Sequence, residues 1–349
     1  MTATTARSGG GRRSGLVAAA AERAAREREV RRRHGTPLIP GPASVDDELA
    51  AGPPSPDPPE PEPEPAHREP PAGRHGLGGL RDFLARRLTG RYDVDEFGMD
   101  RDLAESVVLP ALRTLYSGWF RTDVRGAENV PDSGAALLVS NHSGTLPWDA
   151  LMLQVAVHDV TPSRRLLRPL AADLVLRTPL VADLARRSGA TLATSADAER
   201  LLAGGELVGV WPEGFKGLGK LYRDRYRLQR FGRGGFVSAA VRAGVPIIPV
   251  AVVGAEEAHP MIADIEPLAR LFGVPYWPVT PTWPWLGPLG LVPLPSRWTI
   301  EFGVPVPTDR HSPADADDPL LVLELTDHVR EVIQRTLYTL LVQRGTPPG

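Results

Sequence analysis

Apolar and polar positions along the chain fall into two regimes. Over 1–77 neither half carries enough apolar residues to build a buried face. From about 78 the pattern changes: Leu80, Phe83, Leu84 and Leu88 recur at helical spacing, with Arg81, Arg86, Arg87 and Arg91 mostly elsewhere on the wheel. Positions 103–120 are mainly apolar, interrupted by Pro110. Short β-rich runs then alternate with helical patterns. A-A-L-L-V-S at 135–140, L-V-G-V-W at 207–211 and I-I-P-V-A-V-V at 247–253 predict buried strands, whereas 196–203, 235–243 and 320–341 predict helices. Such alternation predicts an α/β sandwich whose central, mostly buried sheet is covered by helices on both faces.

One segment fits neither period. Residues 271–296 contain no charge, which on hydropathy alone suggests a membrane span, but seven prolines in that window forbid a regular helix. Unpaired backbone cannot cross lipid. The segment is therefore expected to be a loop that packs on the protein or dips into a bilayer interface, where Trp277, Trp283 and Trp285 suit the headgroup level. The 80–88 helix and Trp119–Phe120 are further apolar surfaces of the same kind.

Composition explains the first regime. Residues 1–35 carry nine Arg against three Glu, and 37–71 hold 13 Pro with eight acidic residues, so neither stretch can offset its ordering entropy by apolar burial. A disordered Arg/Ala- and Pro/Glu-rich tail is expected over 1–77, followed by one folded domain over 78–345. The apolar run at 16–21 is too short for a secretory signal and is followed by more Arg. The net charge of −2 argues against a bulk polyanion binder, so no nucleic-acid partner is expected. The chain has no Cys, which excludes disulfides, Cys-ligated zinc, thiol nucleophiles and iron–sulfur clusters.

Two loops carry candidate chemistry. S-N-H-S-G-T-L-P-W-D at 140–149 follows a predicted strand and precedes an apolar helix. In one continuous helix His142 and Asp149 would lie about 10 Å apart along the axis, too far to bond. Pro147 fits only a first helical turn, so 142–146 is a Gly-containing loop that can fold His142 back onto Asp149. A carboxylate that orients an imidazole, leaving its other nitrogen to take a proton, is a general-base arrangement; a helix-capping Asp beside a structural His is the plainer alternative. The second loop, V-W-P-E-G-F-K-G-L-G-K-L at 210–221, opens a basic stretch. Lys216, Lys220, Arg223, Arg225, Arg227, Arg230 and Arg233 stand against one acid, Asp224, and Lys216 and Lys220 are the only lysines in the chain. That density predicts a field able to hold a phosphate. Gly214, Gly219 and Lys220 also satisfy a phosphate-loop spacing, but Leu221 stands where the Mg²⁺-binding hydroxyl belongs. No Ser has Gly two residues before it, so there is no nucleophile elbow.

Together these motifs resemble the glycerolipid acyltransferases, the lysophosphatidic acid acyltransferase superfamily. N-H-S-G-T-L-P-W-D is similar to the family's N-H-x-x-x-x-D block, W-P-E-G-F-K-G to its F-P-E-G-T-R-S block, and V-P-I-I-P-V at 245–250 to its V-P-I-x-P-V block. The six residues between His142 and Asp149, against the usual four, look more like the monoacylglycerol-acyltransferase-like branch. Where the family's second block has an Arg for the acceptor phosphate, this chain has G-A-T-L-A-T at 189–194.

The resemblance implies an α/β acyltransferase at a membrane surface, peripheral on the cytoplasmic face. It would move an acyl group from an acyl thioester, on coenzyme A or acyl carrier protein, to a glycerolipid or glycerol-phosphate hydroxyl. His142 would deprotonate the hydroxyl and Asp149 would orient His142. Asn141, Glu213 and Gly214 would lie by the acceptor, with Lys216 in the family's Arg position and Lys220 and Arg223 available for phosphate. Such a reaction needs a base and a dry site, but neither metal nor redox cofactor. The competing class is a non-enzymatic lipid-binding or adaptor protein tethered by its tail.

Overall fold

A computed structural model describes residues 77–90, 92–232 and 234–345. The expected tail therefore lies outside the described residues, apart from Leu77, which opens helix α1 (Leu77–Leu88). In α1, Phe83 turns inward while Leu84 and Leu88 stay exposed.

Pro110 does not interrupt the next apolar stretch. A helical run over 101–119, α2, alternates α turns (Arg101–Leu103, Leu109–Arg113) with π turns (Ala104–Val108, Thr114–Trp119). The amide of Leu109 donates to the Ala104 carbonyl, one residue further back than an α-helix reaches. That wider turn accommodates a proline that has no amide hydrogen of its own.

The remainder alternates as the pattern predicts. In chain order come β1 (Asp123–Arg125), β2 (Ala136–Ser140), α3 (Trp148–Val160), β3 (Leu167–Ala171), α4 (Asp173–Arg177), α5 (Val181–Arg187), β4 (Thr191–Leu192), α6 (Ser195–Ala203) and β5 (Leu207–Val210). They are followed by α7 (Phe215–Leu218), α8 (Gly235–Ala243), β6 (Ile247–Val253), α9 (Ala255–Ala258), β7 (Ala263–Asp264), α10 (Glu266–Phe272), β8 (Pro278–Val279), β9 (Thr299–Phe302) and α11 (Pro319–Arg344). Seven strands form one sheet in the order β1-β9-β6-β2-β5-β3-β4, and β7 pairs with β8 apart from it. The pairs β2–β5, β2–β6, β3–β5 and β3–β4 are parallel, while β9 runs antiparallel to β6.

Strand side chains alternate between two cores. Leu138, Ile248, Val250 and Val252 pack on one face with Met152, Leu153 and Val157 of α3. Leu137, Val139, Val208 and Val253 pack on the other with Val237 and Val241 of α8 and Val329, Ile333 and Leu337 of α11. The chain is thus the expected α/β sandwich. Among the described residues no helix is long and apolar enough to cross a membrane.

The uncharged segment is more structured than a loop. Its start completes α10, β8 pairs with β7, and Gly287–Leu291 makes a 3₁₀ turn. Phe272 stacks on Trp277, Trp283 meets Trp277 at a tilt of 51°, and Trp285 is exposed.

Candidate active site

The parallel register of β2, β5 and β6 brings their C-terminal ends together: Val139 pairs with Val210, and Ser140 with Val250. The loop after β2 and the loop after β5 therefore leave the sheet side by side, as reactive loops of parallel sheets do.

Pro147 immediately precedes α3, whose first turn contains Asp149. His142 Nδ1 lies 2.7 Å from Asp149 Oδ2. The same oxygen accepts the Ser143 amide at 3.0 Å, and Oδ1 accepts the Ala150 amide at 2.9 Å. Asp149 is fully buried, whereas the His142 side chain retains 12 % of its exposure. Proton donation from Nδ1 to a carboxylate fixes the neutral tautomer, with the Nε2 lone pair free to accept a proton. No described residue hydrogen bonds Nε2, and the Trp211 ring flanks the imidazole at 5.7 Å between centroids.

Other predicted site residues hold this loop in place. Asn141 is fully buried and pairs reciprocally with Val252 of β6: its Nδ2 donates to the carbonyl at 3.0 Å and its Oδ1 accepts the amide at 2.8 Å. Its amide therefore anchors the His142 loop to the sheet. Glu213 accepts the His142 amide on Oε1 at 2.9 Å and the Gln229 amide on Oε2 at 2.6 Å. Its carboxylate is likewise inaccessible, tying the two loops together.

Gly214 has φ +54° and ψ −143°, a conformation that essentially only glycine adopts. It turns the chain into α7, where Gly217 comes so close to His142 that a Cβ there would sit 2.6 Å from the His142 carbonyl oxygen. Sequence reading missed this second glycine, which looked like one more turn residue.

The basic stretch divides on folding. Lys216 is exposed, next to Gly217 and hence at the rim beside His142. Lys220 is not a phosphate ligand: its side chain is 4 % exposed and bridges Glu256 Oε1 at 3.1 Å and Glu213 Oε2 at 3.6 Å. Burial alone would lower the ammonium pKa, but Glu256 and Glu213 outweigh it and hold the value above the ordinary lysine range. The Arg223 side chain is 79 % exposed, with Asp224 at 3.5 Å. Of the two lysines in the phosphate field read from the sequence, Lys216 stays exposed, while buried carboxylates neutralise Lys220.

Two residues outside both motifs complete the surroundings. Tyr276 donates its hydroxyl proton to the Thr145 carbonyl at 2.8 Å, joining the uncharged segment to the His142 loop. His259, buried, stacks parallel to Trp148, and its carbonyl accepts from the Thr145 hydroxyl at 2.9 Å. Burial holds the His259 pKa below the ordinary histidine value. Among the described residues no group of His, Asp and Glu is arranged to hold a metal ion.

Comparison with known proteins bears on the family. The family described as Acyltransferase matches residues 121–253, from before β1 to the end of β6 and including both loops. An uncharacterized protein of Mycobacterium tuberculosis (strain ATCC 25618 / H37Rv) is 58% identical over 262 residues, covering 75% of this chain and 73% of that protein. An uncharacterized protein of Mycobacterium leprae (strain TN) is 56% identical over the same length, covering 75% of this chain and 71% of its own. Among solved structures, the 1-acyl-sn-glycerophosphate (LPA) acyltransferase PlsC of Thermotoga maritima aligns with a TM-score of 0.48 and 18% identity, over 75% of this chain and 88% of that one. The chain belongs to the acyltransferase family.

Proposed function

We propose that this acyltransferase moves a fatty acyl group from an acyl thioester, carried by coenzyme A or acyl carrier protein, to the hydroxyl of a glycerolipid. The observation that carries the reading is the His142–Asp149 pair at the end of β2, with Nδ1 held at 2.7 Å and Nε2 without a hydrogen-bond partner among the described residues. Nε2 takes the proton of the acceptor hydroxyl as its oxygen attacks the thioester carbonyl. The tetrahedral intermediate expels the thiolate, and the imidazolium returns the proton to the departing sulfur. Asp149 stabilises the transient imidazolium without being protonated itself. No covalent acyl-enzyme is needed, in keeping with a chain that has no Cys. Both substrates are amphiphiles, so the enzyme works peripherally at the cytoplasmic face of a membrane.

The acceptor is a glycerol-phosphate lipid or a neutral glycerolipid, and Lys216 at the rim supports the former. Incubating the protein with radiolabelled acyl-CoA and a panel of lysophosphatidic acid, monoacylglycerol and diacylglycerol tests the reading. Labelled acyl lipid is expected with at least one acceptor, and His142→Ala should lower turnover by about 10²–10⁴-fold while leaving thermal stability unchanged. Near wild-type turnover in a clean His142→Ala preparation would remove His142 from the chemistry. Lipid binding without transfer from either donor type would instead make the protein a lipid-binding module.

A further inference from the structure

The uncharged segment leaves an unusual surface. Trp285, Leu286 and Leu289 are 72 %, 55 % and 69 % exposed, and Leu291 and Val292 follow at about half. These side chains are not loosely held. The Leu286 amide bonds the Thr282 carbonyl at 2.9 Å, the Val292 amide bonds the Leu289 carbonyl at 3.1 Å, and Thr282 Oγ1 donates to the Gly290 carbonyl at 3.1 Å. The backbone is therefore satisfied internally while large apolar groups face outward, the reverse of a loop folded to cover a core. Trp119, itself 41 % exposed, donates its indole N–H to the Pro293 carbonyl at 2.8 Å, extending the patch to the end of α2.

Charge lies at the edge of this patch. Arg121, two residues after Trp119, and Arg297, just after the segment, are both exposed. The Phe120 carbonyl accepts the Trp298 amide at 3.0 Å, which sets the two arginines across from each other. Both line a cleft of about 380 Å³ with Arg125 and Arg344. Arg125 is paired with Asp123 and Arg344 with Glu257, but Arg121 and Arg297 have no acidic partner among the described residues. Topology puts this cluster at the end of the sheet that carries His142. Because β9 is antiparallel to β6, Thr299 pairs with Val253, and Asp123 of β1 pairs with Thr299. Tyr276 completes the connection through its bond to Thr145.

We infer that the Trp285–Leu289 surface, rimmed by Arg121 and Arg297, docks the enzyme on an anionic lipid bilayer. Apolar side chains enter the acyl boundary, Trp285 sits at headgroup depth, and the two unpaired guanidinium groups meet lipid phosphates. The inference rests on the lipid-acceptor reading above, since it brings a bilayer to the mouth of the His142 site. Its test reads binding alone, so failure of transfer and failure of docking are distinguishable.

The full chain is sedimented with phosphatidylcholine vesicles with and without phosphatidylglycerol. Partitioning should rise about tenfold or more with the anionic lipid. Trp285→Ser with Leu289→Ser should lower partitioning to either vesicle by about tenfold. Arg121→Gln with Arg297→Gln should abolish most of the anionic preference but not the remaining apolar binding. All four side chains are exposed, so melting temperature and turnover of a short-chain soluble acceptor should hold in both variants. Brominated phosphatidylcholine should quench tryptophan emission, and Trp285→Phe should remove much of that quenching; the arginine-rich first 77 residues contain no Trp to confuse the signal. Wild-type partitioning by the Trp285→Ser, Leu289→Ser variant, or quenching that survives Trp285→Phe intact, would overturn the inference. It would equally be overturned if the double variant converted a dimer to a monomer with no change in partitioning, since the face would then belong to a second copy of the chain.

Discussion

At the residue scale, Asp149 has three hydrogen bonds to support and only one of them concerns the imidazole. Asp149→Asn keeps the volume but places an NH₂ where either the Ala150 amide or the His142–Ser143 donors need an acceptor. It also removes the charge that stabilises an imidazolium. Turnover should fall, though by less than in His142→Ala, because Nε2 remains near its place; an equal loss would mean that tautomer control is the whole contribution. Lys216 invites a different measurement. A phosphate contact at an exposed rim is worth about 1–3 kcal/mol, expressed mainly in KM. Lys216→Ala should raise KM for lysophosphatidic acid about tenfold and hardly alter it for monoacylglycerol, with added salt reproducing part of the effect. Equal changes for both acceptors would exclude a phosphate contact. His259 gives a stability signature. Its folded pKa lies below the ordinary value of about 6.5, so below that pH the unfolded chain binds a proton that the folded chain does not. Stability should therefore fall as pH drops below about 6.5, by up to about 1.4 kcal/mol per pH unit, until the folded pKa is reached. In urea unfolding between pH 7.5 and 5.5 His259→Asn should show a shallower decline than wild type; parallel slopes would place the proton uptake elsewhere.

At the scale of elements, the two loops are coupled through buried charge. Lys220 stands between Glu213, which holds the His142 amide, and Glu256 of α9, which accepts the Tyr226 amide at 3.0 Å. Lys220→Met would leave two carboxylates buried without a cation, and breaking a buried pair costs about 3–5 kcal/mol. The urea midpoint should shift accordingly, and transfer should weaken with it as Glu213 loses its buried cation and moves. Because the folded ammonium pKa lies above the unfolded one, the stabilisation is fully present below the unfolded lysine value and is lost only as pH rises through the higher folded value. Lys220→Met should thus be equally destabilised across neutral pH; no change in midpoint would show that the ion pair is dispensable. This cluster also marks where sequence reading stops. The strands that carry the reactive loops were legible because β2, β5 and β6 are continuous apolar runs, and β6 was placed to the residue. The His142–Asp149 approach followed from Pro147 alone. Lys220 reads in sequence as a phosphate contact because its partner Glu256 lies 36 positions on and arrives only through the return of β6. Asn141 and Glu213 looked like substrate contacts because a motif shows which residues are constrained, not whether the constraint is the ligand or the loop. Pro110 misled in the opposite sense, since the period gives no sign of a π turn that can absorb it.

At the scale of the molecule, one sheet gathers the His142 loop, the Glu213 loop and the arginine pair at a single end, while helices close both faces. Among the described residues, the two cores and the side chains packed against them run from Phe97 to Leu341. Residues 1–69 are too Pro- and charge-rich to add much apolar burial, so their removal is expected to cost little core packing. Such a truncation should leave the melting temperature within about 2 °C of the full chain and turnover of a soluble acceptor unchanged. Its effect should appear at a membrane instead. The first 35 residues hold nine arginines against three glutamates, enough to add a salt-sensitive attraction to anionic vesicles. That attraction is independent of the seated position of Trp285. The truncated protein should partition more weakly on phosphatidylglycerol vesicles, yet the fraction bound should show the same quenching by brominated lipid. A large drop in melting temperature would show that the first 69 residues pack against the domain. Loss of quenching in the bound fraction would mean that the tail, not the Trp285 face, sets how the enzyme meets the bilayer.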